Sequence, residues 1–316
     1  MRLVSFTSGE LGSPSDAPRA VTGPPRLGAL VISGGVEHVV DVQGLDPALP
    51  SDMRGFLERG PEALERLAGR LGPGGRALDP GSLAPGTAPR LSQVTLAPLV
   101  PDPRKLICIG LNYRDHAAET QQAIPEVPTV FAKYPNVLIG AGAPIVIPRV
   151  SSKVDYEAEL AFVIGRRARY VTESEALRYV AGYTCFNDVT ARDLQKLTPQ
   201  WTLGKSCDTF GPLGPALVTP DELPDPQALA IRLTVDGETL QDSSTSGMIF
   251  TVARLVSYLS LAMTLEPGDV VSTGTPAGVG FVRDPPRFLQ PGQTVRVEIE
   301  RVGVLENPVV AEAPAA

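Results

Sequence analysis

The sequence predicts an α+β fold that is predominantly β. Three observations carry that reading. Short β-branched or alternating runs outnumber helical ones, turn residues separate them, and helices and strands do not follow the regular βαβ alternation of a doubly wound sheet. Many of the 32 prolines and 31 glycines fall between those runs, where turns belong.

The elements follow in order. Residues 26–43 read as two strands around Ser33-Gly34-Gly35, because Gly-Gly between alternating apolar runs marks a hairpin. Residues 52–71, DMRGFLERGPEALERLAGRL, place apolar residues at helical spacing and break at Gly60-Pro61. Residues 72–104 are dense in Pro and Gly. They read as a linker, so a small N-terminal domain with its linker is expected over 1–104 and a larger domain over 105–316. Beyond that point KLICIGLNY reads as a short buried strand. PTVFAKYPNVLIGAGAPIVIP reads as strands and loops, and DYEAELAFVIG, Asp155 to Gly165, as one strand. TESEALRYVAGYTCFNDVT opens as a helix capped by Thr172, with Glu175 three residues on, and continues into a strand. Val252, Leu255, Val256, Leu259, Ala262 and Met263 share a helical face that Pro267-Gly268 stops. TVRVEIERVGVLENPV alternates as a strand pair.

Composition narrows the function classes. Lys and Arg number 28 against 35 Asp and Glu, for a net charge of −7. No basic patch of the kind nucleic acids require stands out. No run of about 18 apolar residues occurs, so no membrane span is expected. The opening MRLVSFTSGELGSPSD lacks the apolar centre of a signal peptide. Cys108, Cys185 and Cys207 have no ligand-like spacing and read as free thiols of a reducing compartment. A cytoplasmic location is the expectation.

Four stretches carry chemistry. Glu157 and Glu159 are two apart, so in a strand they share a face about 7 Å apart. Two like charges beside Ala161 and Val163 need a positive partner if they are buried. With Asp188 they form an oxygen-only set suited to a hard cation, Mg2+ first, then Mn2+ or Ca2+. The same spacing equally fits two solvated carboxylates on an edge strand. His116 and Glu119 are three apart and share a face on a helical turn. This makes either a general base oriented by a carboxylate or a surface ion pair. Arg192, Gln195 and Lys205 supply groups that bind carboxylates and oxyanions, or are ordinary solvated residues. TGTPAGVGF, from Thr273, is neither a phosphate loop nor a dinucleotide fingerprint. Its small residues make either a tight turn or a loop that lets backbone approach a ligand.

Taken in register, ICIGLNYRDHAAE, DYEAELAFVIG, GYTCFNDVTARDLQ, GKSCDTFGPLGP and LEPGDVVSTGTPAGVGF resemble the fumarylacetoacetate hydrolase family, in its short bacterial and mitochondrial branch. The resemblance is close from Leu106 to Val310 and loose over the first 70 residues. It implies the family's mixed β-roll, a smaller N-terminal domain and a homodimer. It implies Mg2+ or Mn2+ held by Glu157, Glu159 and Asp188, a catalytic His116–Glu119 dyad on a lid helix, and an active-site Lys205. Arg192, Gln195 and Thr275 fall where relatives meet the substrate, a small 2-oxo acid. The implied reaction is hydrolysis of the C–C bond of an acylpyruvate-type 2,4-dioxo acid through a metal-bound pyruvate enolate. Decarboxylation of oxaloacetate, and isomerisation of a 2-hydroxyhepta-2,4-diene-1,7-dioate, use the same enolate and are the alternatives. Tyr134, where relatives commonly have Pro, and Cys207, where an apolar residue is usual, depart from the pattern and are expected at the pocket wall.

Overall fold

The computed structural model describes residues 1–8, 23–75 and 77–313. Residues 9–16 of the opening stretch, and Arg76 of the Pro/Gly-rich segment, lie outside the described residues. No helix among those described is long and apolar enough to cross a membrane.

The largest sheet runs in the order Val36–Asp41, Arg26–Ser33, Arg2–Ser8, Gly211–Val218, Val180–Asn187, Ala158–Ile164, Val270–Ser272, Leu106–Gly110 and Thr129–Lys133. A five-stranded sheet runs Glu238–Ser244, Ala230–Val235, Thr294–Ile299, Gly303–Ala311, Ile145–Ile147. One apolar core joins the two, burying Phe162 and Phe186 from the first with Ile231 and Val297 from the second. Burying each such side chain contributes roughly 1.5–3 kcal/mol. The predominantly β, α+β architecture expected from the sequence is the one observed. The strands of the first 104 residues are continuous with the larger sheet, because Arg2–Ser8 pairs antiparallel with Gly211–Val218.

Local chemistry explains most elements. Arg26–Ser33 and Val36–Asp41 form the hairpin, and Gly34 and Gly35 take φ of 57° and 78° at its turn. A tight two-residue turn with both φ positive favours glycine and matches the twist of the flanking strands. The break at Gly60-Pro61 separates helices Met53–Glu58 and Pro61–Leu71, the second burying Ala63, Leu67 and Leu71.

Three elements differ from expectation. After Thr172 no α-helix forms; the hydroxyl donates to the Glu175 carboxylate, but only a 3-10 turn, Ala176–Tyr179, fits before the strand at Val180. The helix Val252–Ala262 ends before Pro267, because Leu265 leaves it to exchange backbone hydrogen bonds of 2.9 and 2.8 Å with Ala168. The Asp155–Gly165 strand is interrupted at Tyr156-Glu157. There the N–H groups of Glu157 and Ala158 donate to the side-chain oxygens of Asn187 (3.0 Å) and Gln241 (2.9 Å) instead of to a neighbouring strand.

Candidate active site

Glu159 lies on the Ala158–Ile164 strand, all of whose residues are buried. Asp188 follows the paired strand Val180–Asn187, and Glu157 sits at the interruption. The pairing therefore gathers the three carboxylates, each offering an oxygen within 4.8 Å of the others. Glu157, Glu159 and Asp188 are 6%, 1% and 1% exposed, which removes the solvated edge-strand reading.

Cations surround them. Lys205, ending the short helix Thr202–Lys205, donates to Glu157 and to Asp188, each at 2.7 Å. Arg192 donates to Glu157 at 2.6 Å, to Asp155 at 2.8 Å and to Gln195 at 3.0 Å. Lys133 donates to Asp188 at 2.5 Å and to the carbonyls of Phe210 and Val189 at 2.6 and 3.1 Å. Burial alone would raise the Glu157 pKa, but Lys205 and Arg192 outweigh it and bring it down to about 2. Burial likewise opposes the Lys205 ammonium, and Asp188 and Glu157 hold its pKa above the ordinary lysine value.

Glu159 is the exception. It accepts from the Gly274 N–H at 2.9 Å and from the Ser272 hydroxyl, and no ammonium or guanidinium pairs with it among the described residues. Burial, then the charges of Asp188 and Glu157, push its carboxyl well above the usual range. Asp155, Glu157 and Asp188 are thus matched by Lys133, Arg192 and Lys205, and Glu159 is the carboxyl with no cation of its own, held toward its protonated form without a metal ion. An oxygen-only donor set that includes a buried carboxyl without a cationic partner fits a hard divalent cation, which would favour that carboxyl's ionised form.

The base is built separately. His116, on the helix Arg114–Glu119, has Nδ1 3.2 Å from one Glu119 oxygen, and the other Glu119 oxygen accepts the Gly278 N–H at 2.9 Å. With Nδ1–H donating to Glu119, Nε2 is the basic nitrogen. Asp115 ties the same helix down, accepting from the Ser243 hydroxyl at 2.7 Å.

His116, Glu157, Glu159, Asp188, Arg192, Gln195, Lys205 and Thr275 line one cavity of about 340 Å3, with Phe131, Trp201 and Phe281 as aromatic walls. Glu119 stands behind His116. The Thr275 Oγ1 accepts from Gln241 at 2.8 Å, which leaves the hydroxyl proton free. Tyr134 and Cys207 are not lining residues; Tyr134 is 60% exposed.

Sequence reasoning missed Lys133, Asp155 and Gln241. Asp155 is fully buried and accepts four hydrogen bonds, from Arg192 and from the N–H groups of Tyr156, Gly280 and Phe281. The available signal was its place two residues before Glu157, on the same face of an extended chain.

The sequence model of the fumarylacetoacetate hydrolase C-terminal family matches residues 105–310. The chain belongs to this family. A fumarylacetoacetate hydrolase family member from Xenopus laevis, named oxaloacetate tautomerase, mitochondrial, is 44% identical over 312 residues, covering 98% of this chain and 90% of that protein. Two solved structures of similar fold each cover 99% of this chain and 100% of their own. One is a 5-carboxymethyl-2-hydroxymuconate delta-isomerase from Mycobacterium smegmatis (TM-score 0.73, 32% identity). The other is a fumarylacetoacetate hydrolase from Exiguobacterium antarcticum (TM-score 0.77, 35% identity). The family's members are enzymes with differing reactions, and this chain is a family enzyme with an acidic triad able to hold a metal ion. The cytoplasmic location expected from the free thiols is corrected by the relative's mitochondrial designation. Reduced cysteines fit either compartment, so they never discriminated between the two.

Proposed function

We propose that this chain is a metal-dependent tautomerase of 2-oxo dicarboxylic acids of the oxaloacetate kind, moving a proton between C3 and the 2-oxygen. The supporting observation is the His116–Glu119 dyad opening on the same small cavity as the buried carboxylate cluster. A full-length relative named for oxaloacetate tautomerisation points the same way.

Glu157, Glu159 and Asp188 would hold Mg2+ or Mn2+. The bound ion supplies Lewis-acid stabilisation of negative charge on an oxygen. The chain's residues supply the rest. His116 Nε2 takes the proton from C3, and Glu119 balances the imidazolium that forms. The same imidazolium then returns the proton to the 2-oxygen, so the net change is a 1,3-shift with no fragment released. Lys205 spends two of its three donors on Glu157 and Asp188, leaving one for a developing oxyanion. Gly274 and Ser272 fix the orientation of Glu159.

Hydrolysis of an acylpyruvate, the first expectation from the sequence, becomes the second reading. The dyad could activate water, and a family hydrolase shares the fold. The deciding experiment follows the ultraviolet enol band of oxaloacetate with Mg2+ and with a chelator, alongside assays for pyruvate and CO2. Acetylpyruvate runs in parallel. Metal-dependent enol loss without pyruvate supports the proposal. Pyruvate with CO2 makes the protein a decarboxylase, and acetate with pyruvate from acetylpyruvate makes it a hydrolase.

A further inference from the structure

We propose that Lys196 receives the distal carboxylate of the substrate, so that the cavity selects dicarboxylic over monocarboxylic 2-oxo acids. This inference rests on the 2-oxo acid reading above and adds to it the residue that reads the far end.

The cations around the cavity are committed, with one exception. Arg192 has its donors on Asp155, Glu157 and Gln195, and Lys205 is on Glu157 and Asp188. His116 is on Glu119. Lys196 lines the same cavity, at its exposed rim, and has no carboxylate within ion-pair distance among the described residues. It is not left to wander, since its ammonium stands 4.7 Å from the centroid of the Phe281 ring. The Arg192 guanidinium lies 4.4 Å from the same ring. Phe281 is held in turn, its N–H donating to Asp155 at 3.0 Å.

A charge path through the cavity wall results. Glu157 meets Arg192 at 2.6 Å, Arg192 meets Phe281, and Phe281 meets Lys196. Lys196 and Arg192 thus share one aromatic partner, and of the two it is Arg192 that is paired with the carboxylate cluster. Because Lys196 and the carboxylate cluster line one cavity, a ligand whose 2-oxo acid end lies at the cluster can present its other end to this rim. An ammonium near a ring face can turn one N–H toward it and still has others to donate, and a carboxylate is their natural acceptor. A methyl group in the same place gains nothing from Lys196.

The test uses the chain's single tryptophan, Trp201, which lines the cavity and reports binding by its fluorescence. The Mg2+-loaded protein is titrated with 2-oxoglutarate and with 2-oxopentanoate, which carries a methyl in place of the distal carboxylate. Wild type should bind 2-oxoglutarate more tightly. Lys196→Gln should weaken 2-oxoglutarate roughly three- to tenfold and leave 2-oxopentanoate unchanged, and Lys196→Arg should restore the preference. Unaltered 2-oxoglutarate affinity in Lys196→Gln, or equal weakening of both acids, overturns the assignment while the 2-oxo acid reading stands. Wild type that binds neither acid overturns both.

Discussion

Lys133 offers the sharpest test of how the carboxylate cluster is held. Its side chain is fully buried, and its ammonium serves Asp188 and two backbone carbonyls. Lys133→Met keeps the apolar stem and removes the charge. In the metal-free protein, two cations then face the four carboxylates around the site in place of three. Removing one partner of a buried ion pair costs about 3–5 kcal/mol. Unfolding entropy of about 2.1 cal/mol/K per residue over 316 residues amounts to about 0.7 kcal/mol/K. The variant's Tm in chelator should therefore fall by about 4–7 °C. Saturating Mn2+ should narrow the gap, since a divalent cation replaces part of the missing charge and stabilises the native state by mass action. Differential scanning calorimetry of both proteins, with chelator and with Mn2+, measures this. A variant melting within 1 °C of wild type in chelator would refute the claim that Lys133 neutralises Asp188.

Three other outcomes are expected. His116→Ala should lower kcat at least a hundredfold while calorimetric Mn2+ affinity stays within about threefold of wild type; equal activity would remove the dyad from the reaction. Gly280→Ala should disturb the site, because its Cβ would fall 1.9 Å from the Arg287 carbonyl and 2.6 Å from Asp155 Oδ1; a tenfold or greater activity loss is expected, and unchanged kinetics would count against Asp155 as the organiser of that loop. Asp46, 2% exposed, is held well below the usual carboxylate range, first by the Arg66 guanidinium, which prevails over burial, with Arg70 adding to it. A depressed native pKa gives stability that is present above the unfolded value near 3.9 and is lost as pH falls below it. Asp46→Asn should flatten the acid limb of the Tm–pH curve, and an acid limb as steep as wild type's would show that other carboxylates set it.

The hairpin at Gly34-Gly35 and the break at Gly60-Pro61 were legible because each is decided within a few residues by backbone sterics. The carboxylate triad and the dyad were legible because side-chain spacing in a strand or helical turn puts Glu157 with Glu159, and His116 with Glu119, on one face. What stayed hidden depends on contacts far along the chain. Lys133 meets Asp188 55 residues away, and nothing in FAKYPNV distinguishes an inward ammonium from a solvated one. Arg2–Ser8 finds Gly211–Val218 only in three dimensions. Thr172 and Glu175 carried a helix-start pattern, and their side chains do meet, but the strand at Val180 leaves no length for the helix.

Glu119 has one oxygen on the base and the other on the Gly278 amide of the Gly-rich loop. His116 and Glu119 ride on the same helix, so a shift of the Arg114–Glu119 helix would carry the pair together and give up the Gly278 amide that aims the carboxylate. One amide of the Gly-rich loop thus serves as the backstop of the base, so the loop's conformation sets how firmly the imidazole is aimed.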